Sequence, residues 1–249
     1  MYWVLPYPFV WPEMGRMLAQ DYVGLLLVYL IIVASLGVAL LVEHHDKDIN
    51  VRKIVHIGVG NFVFVWWMFS AGWIMLAFFA IPFGLILFFA MFRNNVIGRG
   101  KLGELTNEKG HSKGLFLYVV SITVMILFFF PEHWLAASIG IVAMTYGDGA
   151  GCVIGKRFGR HRTIHGKTLE GSIGVFAGTF VSALAVSLLY IWLVSNGHLV
   201  CDVKPILPIW VTCAIIGLWS SLLETVCPGE YDNLAIPLST ALILVLLGL

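Results

Sequence analysis

Charge is what this sequence has least of. Asp, Glu, Lys and Arg together supply 12% of its 249 residues, against about 25% in an ordinary soluble domain. With 59% hydrophobic residues and a mean hydropathy of +0.92, the chain reads as an integral membrane protein. The few basic residues sit in short loops between apolar runs, which excludes a nucleic-acid-binding surface. Cysteine is scarce too: Cys152, Cys201, Cys213 and Cys227 show no CxxC spacing, so neither a disulfide framework nor a zinc signature is present. The N-terminus lacks the basic start and small-residue cleavage site of a signal peptide. Soluble-domain patterning, low-complexity tracts and internal repeats are also missing, so residues 1–249 read as a single membrane domain.

What the chain does have is apolar runs. They cover roughly 21–42, 54–70, 72–92, 114–131, 133–155, 169–195, 206–226 and 233–249, each near the ~20 residues a spanning helix requires. The expectation is an all-α polytopic protein of about eight transmembrane helices. Residues 1–20, with Trp3, Tyr7, Phe9 and Trp11 among three prolines, form an interfacial aromatic segment ahead of them. Thirteen of the fifteen basic residues fall in the loops after the first, third and fifth helices; the other side keeps only Arg16 and Lys204. The positive-inside rule puts those loops in the cytoplasm and both termini on the opposite side. The membrane would be the plasma membrane of a prokaryote, or an endoplasmic reticulum or plastid membrane in a eukaryote.

One stretch departs from apolar monotony. Thr145-Tyr-Gly147-Asp148-Gly149 ends a hydrophobic run with an acid between glycines. An acid at membrane depth costs about 2.5–3.5 kcal/mol on the mildest scale, so such residues usually have a function. Lys156, Arg157, Arg160, Arg162 and Lys167 follow within twelve residues, with Gly159 and Gly166 letting the backbone turn. Cations beside glycine-rich backbone suit a polyphosphate. Lys167-Thr-Leu-Glu170-Gly171-Ser172 opens the sixth helix, whose free N–H groups favour an anion, while Glu170 could hold a metal or a lysine. Gly147, Gly151 and Gly155, like Gly174 and Gly178, recur every four residues, a small-residue stripe suited to close helix packing.

Two other polar clusters belong to the same face. Arg52 and Lys53 precede the second helix, where snorkelling anchors are common, and His56 lies one turn deeper on nearly the same side. After the seventh helix, Glu224 and Asp232 flank Pro228-Gly229 in a connection with acids and no base. Asp232-Asn233 offers two oxygen ligands of the kind Mg2+ prefers, and Glu230 reads as a solvated turn residue. His44-His45 invites a metal assignment, but adjacent helical residues point about 100° apart. A transporter would also bury charge among broken, glycine-rich helices, though near the midplane rather than crowded at one face.

Taken in order, Arg52-Lys53-Ile-Val-His56, Gly147-Asp148-Gly-Ala…Gly155-Lys-Arg-Phe-Gly159, Gly166-Lys167-Thr-Leu-Glu170-Gly171-Ser172 and Asp232-Asn233-Leu-Ala-Ile-Pro237-Leu238 resemble the motifs of the CTP-dependent polyprenol kinases. That group includes dolichol kinase, phytol kinase and a CTP-using diacylglycerol kinase. The resemblance runs from about 43 to 238. It implies CTP as phosphate donor, Mg2+ as cofactor, and an isoprenoid alcohol or diacylglycerol as membrane-embedded acceptor. On that reading Asp148, Asp232 and Asn233 hold the metal. Gly147, Gly149, Gly155, Lys156, Arg157, Arg160, Lys167, Glu170 and Gly171 lie along the nucleotide. Arg52 and Lys53 meet the transferring phosphoryl, and Asp148, Glu224 or His56 takes the hydroxyl proton. The same superfamily contains CTP-dependent cytidylyltransferases that make CDP-lipids, the alternative reaction. The oligomeric state, a homodimer included, is left open.

Overall fold

The computed structural model describes residues 16–45, 51–92, 94–106, 113–199 and 204–249. The proposed interfacial segment lies mostly outside these residues, as do Lys47, Arg93, Lys109 and Cys201. The described chain forms helices α1 (Ala19–His45), α2 (Val51–Gly60), α3 (Gly72–Ala90), α4 (Val96–Arg99), α5 (Lys101–Thr106), α6 (Gly114–Phe129), α7 (Trp134–Phe158), α8 (Leu169–Ser195), α9 (Ile209–Val226) and α10 (Asp232–Leu246). Five of them, α1, α3, α7, α8 and α9, are long and apolar enough to cross a bilayer, and α6 and α10 are shorter apolar helices. The protein is an all-helical, polytopic membrane protein.

Helix α7 is its axis. Every residue from Trp134 to Val142 is buried, whereas α1 on the outside leaves Leu26, Leu30, Val33 and Leu41 uncovered, a lipid-facing surface. The start of α1 is tied down by buried Asp21, which accepts the Ser70 backbone N–H at 2.7 Å and the Ser70 hydroxyl at 2.8 Å. That bond sets the tight turn ahead of α3.

The apolar run at 54–70 does not stay α-helical. It continues α2 and then tightens into 3-10 turns at Asn61–Phe64 and Trp66–Met68. Asn61 explains the change, because a short amide side chain competes with the backbone for hydrogen bonds. Its Nδ2 donates to the carbonyls of Ile57 and Gly58, and its Oδ1 accepts from the Tyr146 hydroxyl at 2.7 Å. A little further on, the Trp66 indole N–H reaches Ser138 Oγ (3.0 Å) and the Tyr190 hydroxyl (2.9 Å), and the Ser138 hydroxyl donates to Tyr190 (2.7 Å). This buried triad locks the segment after α2 to α7 and α8.

The glycine stripes do the close packing. A Cβ on Gly155 would stand 3.3 Å from Gly171 Cα, and one on Gly178 would stand 2.7 Å from the Tyr146 carbonyl. No other residue type lets α7 and α8 approach so closely. Ahead of Asp148, α7 passes through a π turn at Ala143–Gly147. The loop between α7 and α8 then folds back on itself, with Leu169 N–H bonding His161 O and Thr163 N–H bonding Lys167 O. Thr168 caps α8 by accepting the Gly171 N–H at 3.1 Å.

Candidate active site

At the end of the bundle where α2 begins and α7 finishes lies a cavity of about 620 Å³. Helix α2 contributes Arg52 and Lys53, and α7 contributes Asp148, Gly155 and Lys156. The α7–α8 loop adds Arg162 and Lys167, α8 adds Gly171, α9 adds Glu224, the turn after it adds Glu230, and the start of α10 adds Asp232 and Asn233. The four polar clusters spread over 180 residues of sequence thus share one chamber.

Three of its cations face acids. Arg52 Nη1 lies 2.5 Å from Glu230 Oε1, and Lys53 pairs with Asp148. Lys167 lies 3.0 Å from Glu224 Oε1 and 3.5 Å from Asp232 Oδ2, and also donates to the Glu224 carbonyl. These side chains are nearly buried, so each pairing offsets a desolvation cost that an isolated charge could not meet. Burial pushes the Lys53 ammonium down to about 8, and the nearby acids oppose that shift.

Some expected residues stand elsewhere. Gly147 packs against Thr179 and Gly149 against Ile57, so both serve the helix contacts and neither lines the cavity. Arg157 lies over the Phe158 ring at 5.5 Å, and Arg160 is also outside the lining. Glu170 turns to the loop, where it accepts the backbone N–H groups of Arg160 (3.0 Å) and His161 (3.2 Å) and meets His161 Nδ1 at 2.6 Å. It shapes the loop from behind. His56 lines not the main chamber but a small adjoining cavity, together with Arg52, Lys53, Gly114, Leu115 and Asn233. Its ring stands 4.0 Å from that of Tyr118.

One residue was underrated by the sequence. Glu230 is not a solvated turn side chain: it is 12% exposed, holds Arg52, and accepts the Lys113 backbone N–H at 2.8 Å. Its bond to Arg52 spans 178 positions, and no local pattern encodes such a partner. Arg162, one of the five loop cations read as suiting a polyphosphate, lines the chamber together with Lys156 and Lys167.

Among the described residues no group of three His, Cys, Asp or Glu side chains gathers to hold a metal. That is no obstacle for Mg2+, which takes one or two carboxylates and completes its octahedron with phosphates and water. Asp148 and Asp232 line the same chamber, and their hard oxygen donors fit that ion.

The chain is 31% identical over 197 residues to a phytol kinase of Synechocystis sp., a match spanning 77% of this chain and 76% of that protein. It belongs to the polyprenol and phytol kinase family. A second relative, the chloroplastic farnesol kinase of Arabidopsis thaliana, is 29% identical over 206 residues, covering 77% of this chain and 63% of its own length. No family model matches the chain, and no solved structure does.

Proposed function

We propose that this kinase transfers the γ-phosphate of CTP to the hydroxyl of a membrane-embedded isoprenoid alcohol. The observation that carries the reading is the chamber itself. It puts matched cations and acids at one end of an apolar bundle in a chain related to phytol and farnesol kinases. Phosphoryl transfer asks little covalent chemistry of the protein; it asks for alignment and charge neutralisation.

The residues divide that work. Lys167, Lys156 and Arg162 neutralise the triphosphate, and the close-packed backbone at Gly155 and Gly171 lets it approach without side-chain obstruction. Asp148 and Asp232 would hold Mg2+, whose charge, when bound, offsets that of the β- and γ-phosphates. Arriving phosphate draws Lys53 and Lys167 from their acids and frees those acids' oxygens. The ion pairs thus offset most of the charge in the chamber, where five cations stand against four acids, and are exchanged for substrate contacts. Arg52, held by Glu230, meets the phosphoryl group in transit. The distribution of basic loops supports a chamber facing the cytoplasm, where CTP would be available.

Protein purified in detergent with Mg2+, phytol or farnesol, and CTP labelled on either the α- or the γ-phosphate tests the reaction. The expected product is lipid carrying γ-label only. Lipid carrying α-label, with pyrophosphate released, would make the protein a CDP-lipid synthase instead.

A further inference from the structure

Beside the main chamber, sharing three of its lining residues, is a cavity of about 10 Å³ walled by Arg52, Lys53, His56, Gly114, Leu115 and Asn233. That is room for one oxygen atom with its hydrogens. Its walls are polar in an otherwise apolar region, and two of them are unfinished. His56 Nε2 and Asn233 Oδ1 are buried and have no hydrogen-bond partner, in residues only 4% and 7% exposed. Leaving one such atom unpaired costs about 1–3 kcal/mol, and both belong to residues that wall one small cavity, which calls for an occupant there.

The walls also say what the occupant is. An imidazole nitrogen accepts a proton, while Arg52 and Lys53 donate, and the Asn233 amide can turn either its oxygen or its NH2 inward. A group that both donates and accepts, on one heavy atom, is a hydroxyl. Arg52, Lys53 and Asn233 line the main chamber as well, so the hydroxyl would sit directly beside the phosphates.

We propose that this cavity is the seat of the acceptor hydroxyl, with His56 as the catalytic residue that takes its proton. The inference rests on the kinase reading above. As the alcohol oxygen bonds to the γ-phosphorus, its proton passes to His56 Nε2. The bond from that phosphorus to the β–γ bridging oxygen breaks, and CDP leaves with the electron pair. Asp148 and Glu224, both engaged with lysines, are then left to the nucleotide side. Without alcohol, water fills the same seat.

The test compares wild type with His56→Ala and His56→Gln in detergent, measuring γ-label transfer to phytol and farnesol, CTP binding, and CTP hydrolysis without alcohol. Each variant is expected to lose transfer by at least about 100-fold while CTP affinity stays within about threefold of wild type. Added imidazole should restore part of the rate to His56→Ala, which a purely structural role for His56 would not allow. In wild type, alcohol should suppress CTP hydrolysis as lipid phosphate accumulates, because both compete for one seat. Undiminished transfer in the variants, or a loss matched by lost CTP binding, overturns the assignment. Hydrolysis indifferent to alcohol overturns it too, since the seat would then hold only a fixed water. A wild-type protein that phosphorylates no alcohol sinks the kinase reading itself. An active wild type beside fully active variants sinks this inference alone.

Discussion

The same three stretches of chain build a buried polar cluster at each end of the molecule. At one end the segment after α2, α7 and α8 supply Trp66, Ser138 and Tyr190. At the other, α2 itself, α7 and α8 supply Arg52 and Lys53, Asp148, and Gly171. The first cluster is neutral and closed: each side chain answers another, and the space beside it is an apolar cavity of about 330 Å³. The second is charged: Lys53 and Lys167 are paired with acids, and two polar atoms in or beside it, His56 Nε2 and Asn233 Oδ1, have no hydrogen-bond partner. Saturated hydrogen bonding marks architecture; exchangeable pairing marks a place where something else must bind.

The comparison can be broken most forcefully at Asp148. Asp148→Asn keeps the volume and removes the charge, so lipid phosphate formation should vanish while size-exclusion chromatography in detergent still shows intact protein. Full activity in that variant would remove the acid from the mechanism. Next in size is Lys167→Met, which leaves Glu224 and Asp232 without their shared cation. CTP affinity should fall about tenfold or more, measured by equilibrium binding, because a phosphate partner is lost. Thermal unfolding should show a cost of about 2 kcal/mol, below that of a fully buried pair because Lys167 retains some water contact. Smallest is Tyr190→Phe, which opens the neutral triad. Stability should drop by about 1 kcal/mol with kcat unchanged. A fall in kcat there would mean that the two ends are coupled through α7 and α8.

How far the sequence foretold this depended on the range of the interaction. Apolar runs and glycine stripes are local and periodic, so the helices and the α7–α8 contact could be read directly. The gathering of Arg52, Asp148, Lys167 and Asp232 at one face followed from the order of the apolar runs, because each lies near a connection on the same side. Pairings across that face could not be read. Glu230 finds Arg52, and Glu170 finds the backbone of Arg160 and His161, through loop geometry that no spacing rule encodes. The loosening of α2 into 3-10 turns was hidden for the same reason: Asn61 gives the cue, but Tyr146, which anchors it, comes from another helix. The small cavity at His56 depends on Gly114 and Asn233 arriving together from helices far apart in sequence.

The π turn at Ala143–Gly147 has a consequence for how this scaffold can change. One surplus residue in a helix turns everything beyond it by about 100° about the axis. Asp148, Gly151 and Gly155 lie beyond, so their facing is set by that single surplus residue, independently of the buried wall from Trp134 to Val142. Deleting one residue there would leave the hydrophobic anchor of α7 in place and swing the acid off the chamber. Variation by one-residue deletion, harmless in most surface loops, is closed to this helix.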